Sequence, residues 1–184
     1  QADFWLMLRI NKEWTSPWID QIALFARESY LYVPFYIFLA FFMILNFGKK
    51  GAWWVVTVLA MAGVNDLLSS RVIKEIFDRP RPCRDPMMVD QIRLLAKYCG
   101  MNGSFISSHA SNHFAAATFI FQTLKFISHK WALVFLWAAL ISYSQVYVGV
   151  HYPSDVLCGA IFGIIIGYLA SRFFDTQIGL VNSH

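Results

Sequence analysis

His151 and Asp155 lie four residues apart in S-Q-V-Y-V-G-V-H-Y-P-S-D, residues 144–155, and chemistry is most readily read from this stretch. Pro153 disfavours helix at Tyr152 and suits the first turn of a new helix. The break therefore falls beside His151. The imidazole is placed where two helices turn around, with Asp155 in the first turn of the second. A carboxylate behind an imidazole keeps it in one tautomer for nucleophilic or base work. The same residues also suit a plain polar turn between membrane helices, with both side chains facing water.

Two further blocks carry groups suited to an anion. K-E-I-F-D-R-P-R-P, residues 74–82, puts Lys74 and Arg81 astride a helix end, where both reach one phosphate. S-F-I-S-S-H-A, residues 104–110, opens an apolar stretch. Backbone N–H groups at a helix N-terminus form an anion site, Ser107 adds a hydroxyl, and His109 stands beside the anion as a proton donor. Each block also has a structural reading: a basic loop against lipid headgroups, and a serine N-cap with an interfacial histidine. His113 completes an H-x3-H pair with His109, but no Glu follows His109 as in the H-E-x-x-H zinc motif, so no metal is assigned. His129 beside Lys130 reads as a solvated turn.

The elements that must position these groups are apolar helices. Hydrophobic residues make up 58% of the 184, against 14% charged, well below the ~25% charged of an ordinary soluble domain. The reading is an all-α integral membrane bundle, a single domain over residues 1–184, with no repeat or linker. Residues 1–18 mix Phe4, Trp5, Leu6 and Ile10 with Asp3, Arg9, Lys12 and Glu13, and are expected as an N-terminal interfacial amphipathic helix. Five transmembrane helices are expected over residues 30–47, 51–74, 107–126, 131–150 and 153–174, each near the ~20 residues a bilayer needs. Strands are excluded because the apolar runs are continuous rather than alternating. Residues 75–106 form the remaining polar loop. On the second span, Asp66, Ser70 and Lys74 share one face, and an Asp at membrane depth is either functional or paired with a base.

This topology brings the 75–106 loop, the start of the third span and the His151 turn to one side. Lys49, Lys50, Lys125, Lys130 and Arg172 mark the other, almost without acid. Charge alone leaves the orientation open, because several bases on the His151 side read as ligand groups. The net charge of +4 suits anionic headgroups or phosphorylated lipids, and no basic run is long enough for a nucleic-acid arm. No cleavable signal peptide is visible. Cys83 and Cys99 flank the loop without C-x-x-C spacing, so zinc is not expected. In an oxidising compartment they would bridge, contributing on the order of 3 kcal/mol. Cys158 reads as a packed residue.

Taken in order, the three blocks resemble the type 2 phosphatidic acid phosphatase (PAP2) family of membrane phosphatases, relatives of the vanadium haloperoxidases. That family is marked by K-x6-R-P, then P-S-G-H, then S-R-x5-H-x3-D. Lys74, Arg81 and Pro82 fit the first motif. Ser107 and His109 fit the second, with Ile106 for its Pro and Ser108 for its Gly. Ser144, His151 and Asp155 fit the third, with Gln145 where the family has Arg. An amide donates to a phosphate oxygen but does not neutralise charge. Arg79, Arg84 and Arg93 are the candidates to fill that gap.

The resemblance implies a metal- and cofactor-independent hydrolase of a lipid phosphate or pyrophosphate, undecaprenyl pyrophosphate or a related lipid. His151 would be the nucleophile that becomes phosphohistidine, Asp155 its orienting carboxylate, and His109 the acid and then the base. Lys74, Arg81, Ser107, Ser108, Ser144 and Gln145 would hold the phosphate oxygens. The implied location is a bacterial inner membrane, with the site on the extracytoplasmic face. Two other classes stay open: a phosphotransferase using the same intermediate, and a non-catalytic lipid-phosphate binding or transport module.

Overall fold

The structure, a computed structural model, describes residues 2–180. Gln1 and residues 181–184, at the ends of the expected domain, lie outside the described residues. Among those described, regular structure is helical throughout, with no strand.

The chain opens with α1, Ala2–Leu8, which runs into a π-helical turn, Arg9–Glu13. Ser16 caps α2, Pro17–Ala26, by accepting from the Ile19 N–H at 3.3 Å, with Pro17 in its first turn. The stretch expected as one interfacial helix is thus mostly α1 with its π-helical turn, and α2 begins only in its last two residues. Its apolar face also meets protein: Met7 and Ile10 pack with Met88, Ala96, Val146 and Tyr152, while Trp5, Trp14 and Trp18 point outward.

Next comes α3, Val33–Leu67, which doubles back at Gly48 (φ 53°, ψ −126°), a conformation open to glycine. Its two limbs press together so closely that a Cβ on Gly51 would overlap the Met43 carbonyl oxygen, 1.9 Å away. A π-helical turn, Leu68–Ile73, leads into α4, Lys74–Phe77, which ends at left-handed Asp78. A long loop then reaches α5, Ser108–Leu124, followed by α6, Leu133–Tyr147, and α7, Pro153–Gln177.

Tyr30–Phe77 and Pro153–Gln177 are long and apolar enough to cross a bilayer, each with mean hydropathy 1.9. Only 11% and 22% of their apolar windows are buried within the protein. A core helix of a soluble protein would be mostly covered, so these surfaces require an apolar solvent. α5 and α6 are shorter than the stretches expected over 107–126 and 131–150. α6 stops at Tyr147 because Gly149 takes φ 90°, and the N–H groups of Val150 and His151 both turn back to the Gln145 carbonyl, each at 3.2 Å.

The closest helix pair is α5 against α7. Gly159, Gly163 and Gly167 repeat every fourth residue along α7 and lie on the carbonyls of Ser107, Ser111 and Ala115. A Cβ at these glycines would stand 2.5, 2.2 and 2.3 Å from those oxygens. This is the small-residue packing that lets membrane helices touch backbone to backbone. At the far end, Trp54 donates to Thr123 Oγ1 at 2.7 Å within a core of Leu39, Met43, Phe119, Leu124 and Phe174.

The long loop is fastened on three sides. A Cys83–Cys99 disulfide closes it, with Cα atoms 6.1 Å apart. Asn11 donates to the carbonyls of Arg93 and Tyr147 at 2.8 and 2.7 Å and accepts from the Arg93 N–H at 2.6 Å. Asp20 takes Arg93 at 2.6 Å and the Tyr147 hydroxyl at 2.6 Å.

Candidate active site

Asp155 lies in the first turn of α7, where its Oδ2 accepts from the Tyr152 N–H at 2.9 Å and so closes the helix start. It is fully buried. Its Oδ1 accepts from Arg79 Nη1 at 2.7 Å, and the Ser104 hydroxyl donates to Oδ2. Arg79 in turn donates to Asp3 and Ser154, both at 2.7 Å, and covers the Tyr152 ring at 4.0 Å.

His151, 1% exposed, turns Nδ1 towards this carboxylate, 3.7 Å from Asp155 Oδ2 and 3.4 Å from Ser104 Oγ. On its other side, Arg81 Nη1 stands 3.2 Å from Nε2. A guanidinium only donates, so Nε2 is the acceptor and the ring proton is on Nδ1. Burial pushes the imidazole pKa down to about 3, with the charges of Arg81 and Lys74 adding to the shift and the Asp155 hydrogen bond opposing it. The ring is thus neutral, with its Nε2 lone pair in the cavity: the state a nucleophile needs.

That cavity has a volume of about 460 Å³. It brings together Lys74, Arg81, Ser108, His109, Gln145 and His151 of the expected set, with Asp155 behind the ring. Lys74 is 7% exposed and has neither hydrogen bond nor ion pair among the described residues. A buried, unpaired cation is a strong sign of a place for an anion. Both polar atoms of the Gln145 amide are likewise buried without a hydrogen-bond partner among the described residues.

Two expected phosphate ligands are turned away. Ser107 Oγ accepts from the Ala110 N–H at 3.4 Å as the cap of α5, and its own N–H goes to the Asp155 carbonyl at 3.0 Å. Ser144 donates to the Leu140 carbonyl at 2.8 Å, a local helix bond that outcompetes a longer reach. Neither lines the cavity. The three arginines expected to replace the missing one are also engaged elsewhere. Arg79 holds Asp155 and Asp3, Arg93 holds Asp20, and Arg84 meets the Met101 sulfur. Arg27, just past the end of α2, lines the cavity instead.

Asp66, Ser70 and Lys74 all face the cavity, as their spacing predicts. Asp66 accepts from Ser70 and Asn112, both at 3.1 Å, and Asn112 is tied through Asn65 to Ser111. This network joins α3 to α5 across the floor of the site. Gly100 lies flat on the Arg81 guanidinium, where a Cβ would stand 3.0 Å from Cζ. Its neighbour Cys99 carries the disulfide, so the bridge also fixes the roof over Arg81.

Sequence reasoning missed Ser104, Asp3, Gly100 and Arg27. Ser104 stands in the quoted S-F-I-S-S-H-A block, and its place three residues before the helix cap was the available signal. Asp3 and Arg27 lie far from any motif, and no local spacing marks them.

The sequence pattern of the PAP2 superfamily matches residues 51–178, more than half of the chain. The chain belongs to the PAP2 superfamily. As a PAP2 protein it is a phosphoric ester hydrolase. Its relatives include the lipid A 4'-phosphatase of Porphyromonas gingivalis, 29% identical over 86% of this chain and 67% of that one. The undecaprenyl-diphosphatase of Bacillus subtilis is 28% identical over 85% of this chain and 76% of its own length. The fold matches the crystal structure of a transmembrane PAP2 type phosphatidylglycerolphosphate phosphatase from Bacillus subtilis, with a TM-score of 0.72 at 24% identity, covering 96% of this chain and 86% of that one. It also matches the LpxE structure of Aquifex aeolicus, with a TM-score of 0.63 at 27% identity, covering 90% and 92%.

Proposed function

We propose that this PAP2 protein is a metal-independent phosphatase of a membrane lipid that carries a phosphate or diphosphate, working through a phosphohistidine at His151. One observation carries the reading. A neutral histidine, held from behind by Asp155 and Ser104, presents Nε2 beside Arg81 in a cavity that also holds the unpaired Lys74.

In the first step the Nε2 lone pair bonds to phosphorus, the bond from phosphorus to the leaving oxygen breaks, and that oxygen takes a proton from His109. Asp155 stabilises the imidazolium character that develops on the ring. In the second step water gives a proton to His109 and attacks phosphorus, the N–P bond breaks, and phosphate leaves. Lys74 and Arg81 meet the equatorial charge, with Ser108 and Gln145 as neutral donors.

A lipid substrate is supported by an apolar cavity of about 470 Å³ between the limbs of α3, which shares Asn112 and His113 with the catalytic cavity. A larger apolar groove of about 720 Å³ between Tyr32 and Trp131 carries only Lys130 as a charged group and holds no candidate nucleophile. The reading includes five crossings (the two limbs of α3, then α5, α6 and α7) in an inner membrane. The Cys83–Cys99 bridge supports an extracytoplasmic site, because disulfides persist in oxidising compartments.

The test is phosphate release from undecaprenyl pyrophosphate in detergent with EDTA present. We expect release to survive EDTA and to fall by about a thousandfold or more in His151→Ala and in His109→Ala. Full release from His151→Ala would remove the nucleophile and the reading with it.

A further inference from the structure

The third motif leaves the phosphate site one cation short, and the Gln145 amide that replaces it faces the cavity without a hydrogen-bond partner among the described residues. Arg27 reaches the same space from a different direction, out of the turn that follows α2. Together with Tyr98 and His109, it also lines a second cavity of about 500 Å³, which holds Lys97 and Glu28. The two cavities therefore meet at His109, and Arg27 stands at the junction. No hydrogen bond or ion pair engages its guanidinium among the described residues; Glu28 and Tyr98 act on it only through space.

The position matters because His109 is the proton donor to the leaving oxygen. A cation beside it serves whatever departs, rather than the phosphoryl group moving to His151. We propose that Arg27, with Lys97 behind it, seats the phosphate of a charged leaving group, so that the enzyme selects lipid diphosphates over lipid monophosphates. The proposal rests on the reading of His151 as nucleophile and His109 as proton donor.

The chemistry separates the two substrate classes. When a diphosphate is cleaved, the bond between the terminal phosphorus and the bridging oxygen breaks. The electron pair stays on the departing lipid monophosphate, and Arg27 meets that charge. When a monophosphate is cleaved, the departing group is an alcohol once His109 has protonated it, and a guanidinium has nothing to hold. A purely structural Arg27, complementing the C-terminal end of α2, would instead act on melting temperature and on both substrates alike.

The experiment compares the native chain, Arg27→Gln, Arg27→Lys and His151→Ala on undecaprenyl pyrophosphate and on phosphatidic acid. Arg27→Gln is expected to lower kcat/KM for the diphosphate by about ten- to a hundredfold, the range of one charge-assisted hydrogen bond. Phosphatidic acid should lose at least about fivefold less than the diphosphate does, and Arg27→Lys should recover part of the diphosphate loss. In parallel, inhibition by the product undecaprenyl phosphate should weaken in Arg27→Gln while inhibition by inorganic phosphate holds. This readout stands even where monophosphate turnover is too slow to follow. Equal losses on both substrates, or an unchanged product inhibition constant, overturn the leaving-group seat. If Arg27→Gln does not fold, Lys97→Gln should shift product inhibition in the same direction by a smaller factor, and no shift there overturns the proposal. Activity that persists in His151→Ala would instead defeat the underlying mechanism, whatever Arg27 does.

Discussion

Behind the His151 ring, Asp155 accepts from Arg79, Ser104 and the Tyr152 N–H, while Arg79 is held in turn by Asp3 and Ser154. In front of the ring, Lys74, Arg27 and the Gln145 amide face a cavity without hydrogen-bond partners among the described residues. Two arginines only two residues apart fall on opposite sides of this divide: Arg79 supports the carboxylate, and Arg81 points at Nε2. Residue type does not separate them. What does is whether an acid already stands within reach. On the proposed mechanism, the rear fixes one geometry before substrate arrives, and the front leaves Lys74 and Arg27 for the ligand.

Breaking the rear should have the largest effect. Asp155→Asn keeps the shape but loses the charge behind the ring and frees the tautomer. We expect kcat to fall by about a hundred- to ten-thousandfold, with a lower melting temperature because Arg79 loses a buried partner. Steady-state kinetics and a thermal melt on one preparation check both.

At the front the two quantities should part. Lys74→Met removes a buried charge with no hydrogen bond or ion pair among the described residues, on which Asp155 and Asp66 act only through space. Activity should drop by about ten- to a hundredfold, while the melting temperature rises by about 2–4 °C. A melting temperature that falls would place Lys74 on the supporting side.

Acid should act on the rear. The buried imidazole has its pKa depressed from 6.5 to about 3, so between these values the unfolded chain binds a proton that the folded chain does not. The stability this group contributes is therefore complete above pH 6.5 and is lost as pH falls towards 3. Melting temperatures at pH 7 and pH 4.5 should differ more for the native chain than for His151→Asn.

The smallest effect sharpens the comparison. Ser104→Ala removes the hydroxyl between Nδ1 and Asp155 and leaves the carboxylate at 3.7 Å. We expect kcat to fall about tenfold, with KM unchanged. A change in KM alone would put Ser104 in contact with substrate.

The front was the more legible side from sequence. Lys74, Arg81, His109 and His151 announce themselves through motif spacing, and Asp66, Ser70 and Lys74 through helical period. Helix type followed from unbroken apolar runs, and the turn at Pro153 from backbone sterics. The rear was mostly illegible because its partners come from distant segments. Asp3 is 76 residues from Arg79, and Ser104 is 51 from Asp155. Ser107 and Ser144 show a different limit: their types suit phosphate, and spacing does not reveal that nearby backbone groups hold them. The turn at Gly48 falls in the gap between the spans expected over 30–47 and 51–74, whereas the glycine row on α7 was in plain view and a hydropathy reading passes over it.

The glycine row of α7 also governs traffic. With the backbones of α5 and α7 in contact at three successive turns, that seam is too narrow for a hydrocarbon chain to pass between the helices. On the proposed reading, a lipid chain is received instead beside α3, where the apolar cavity adjoins the site at Asn112 and His113. On that reading, a molecule packed against this side of α3 would hinder the substrate without touching a catalytic group.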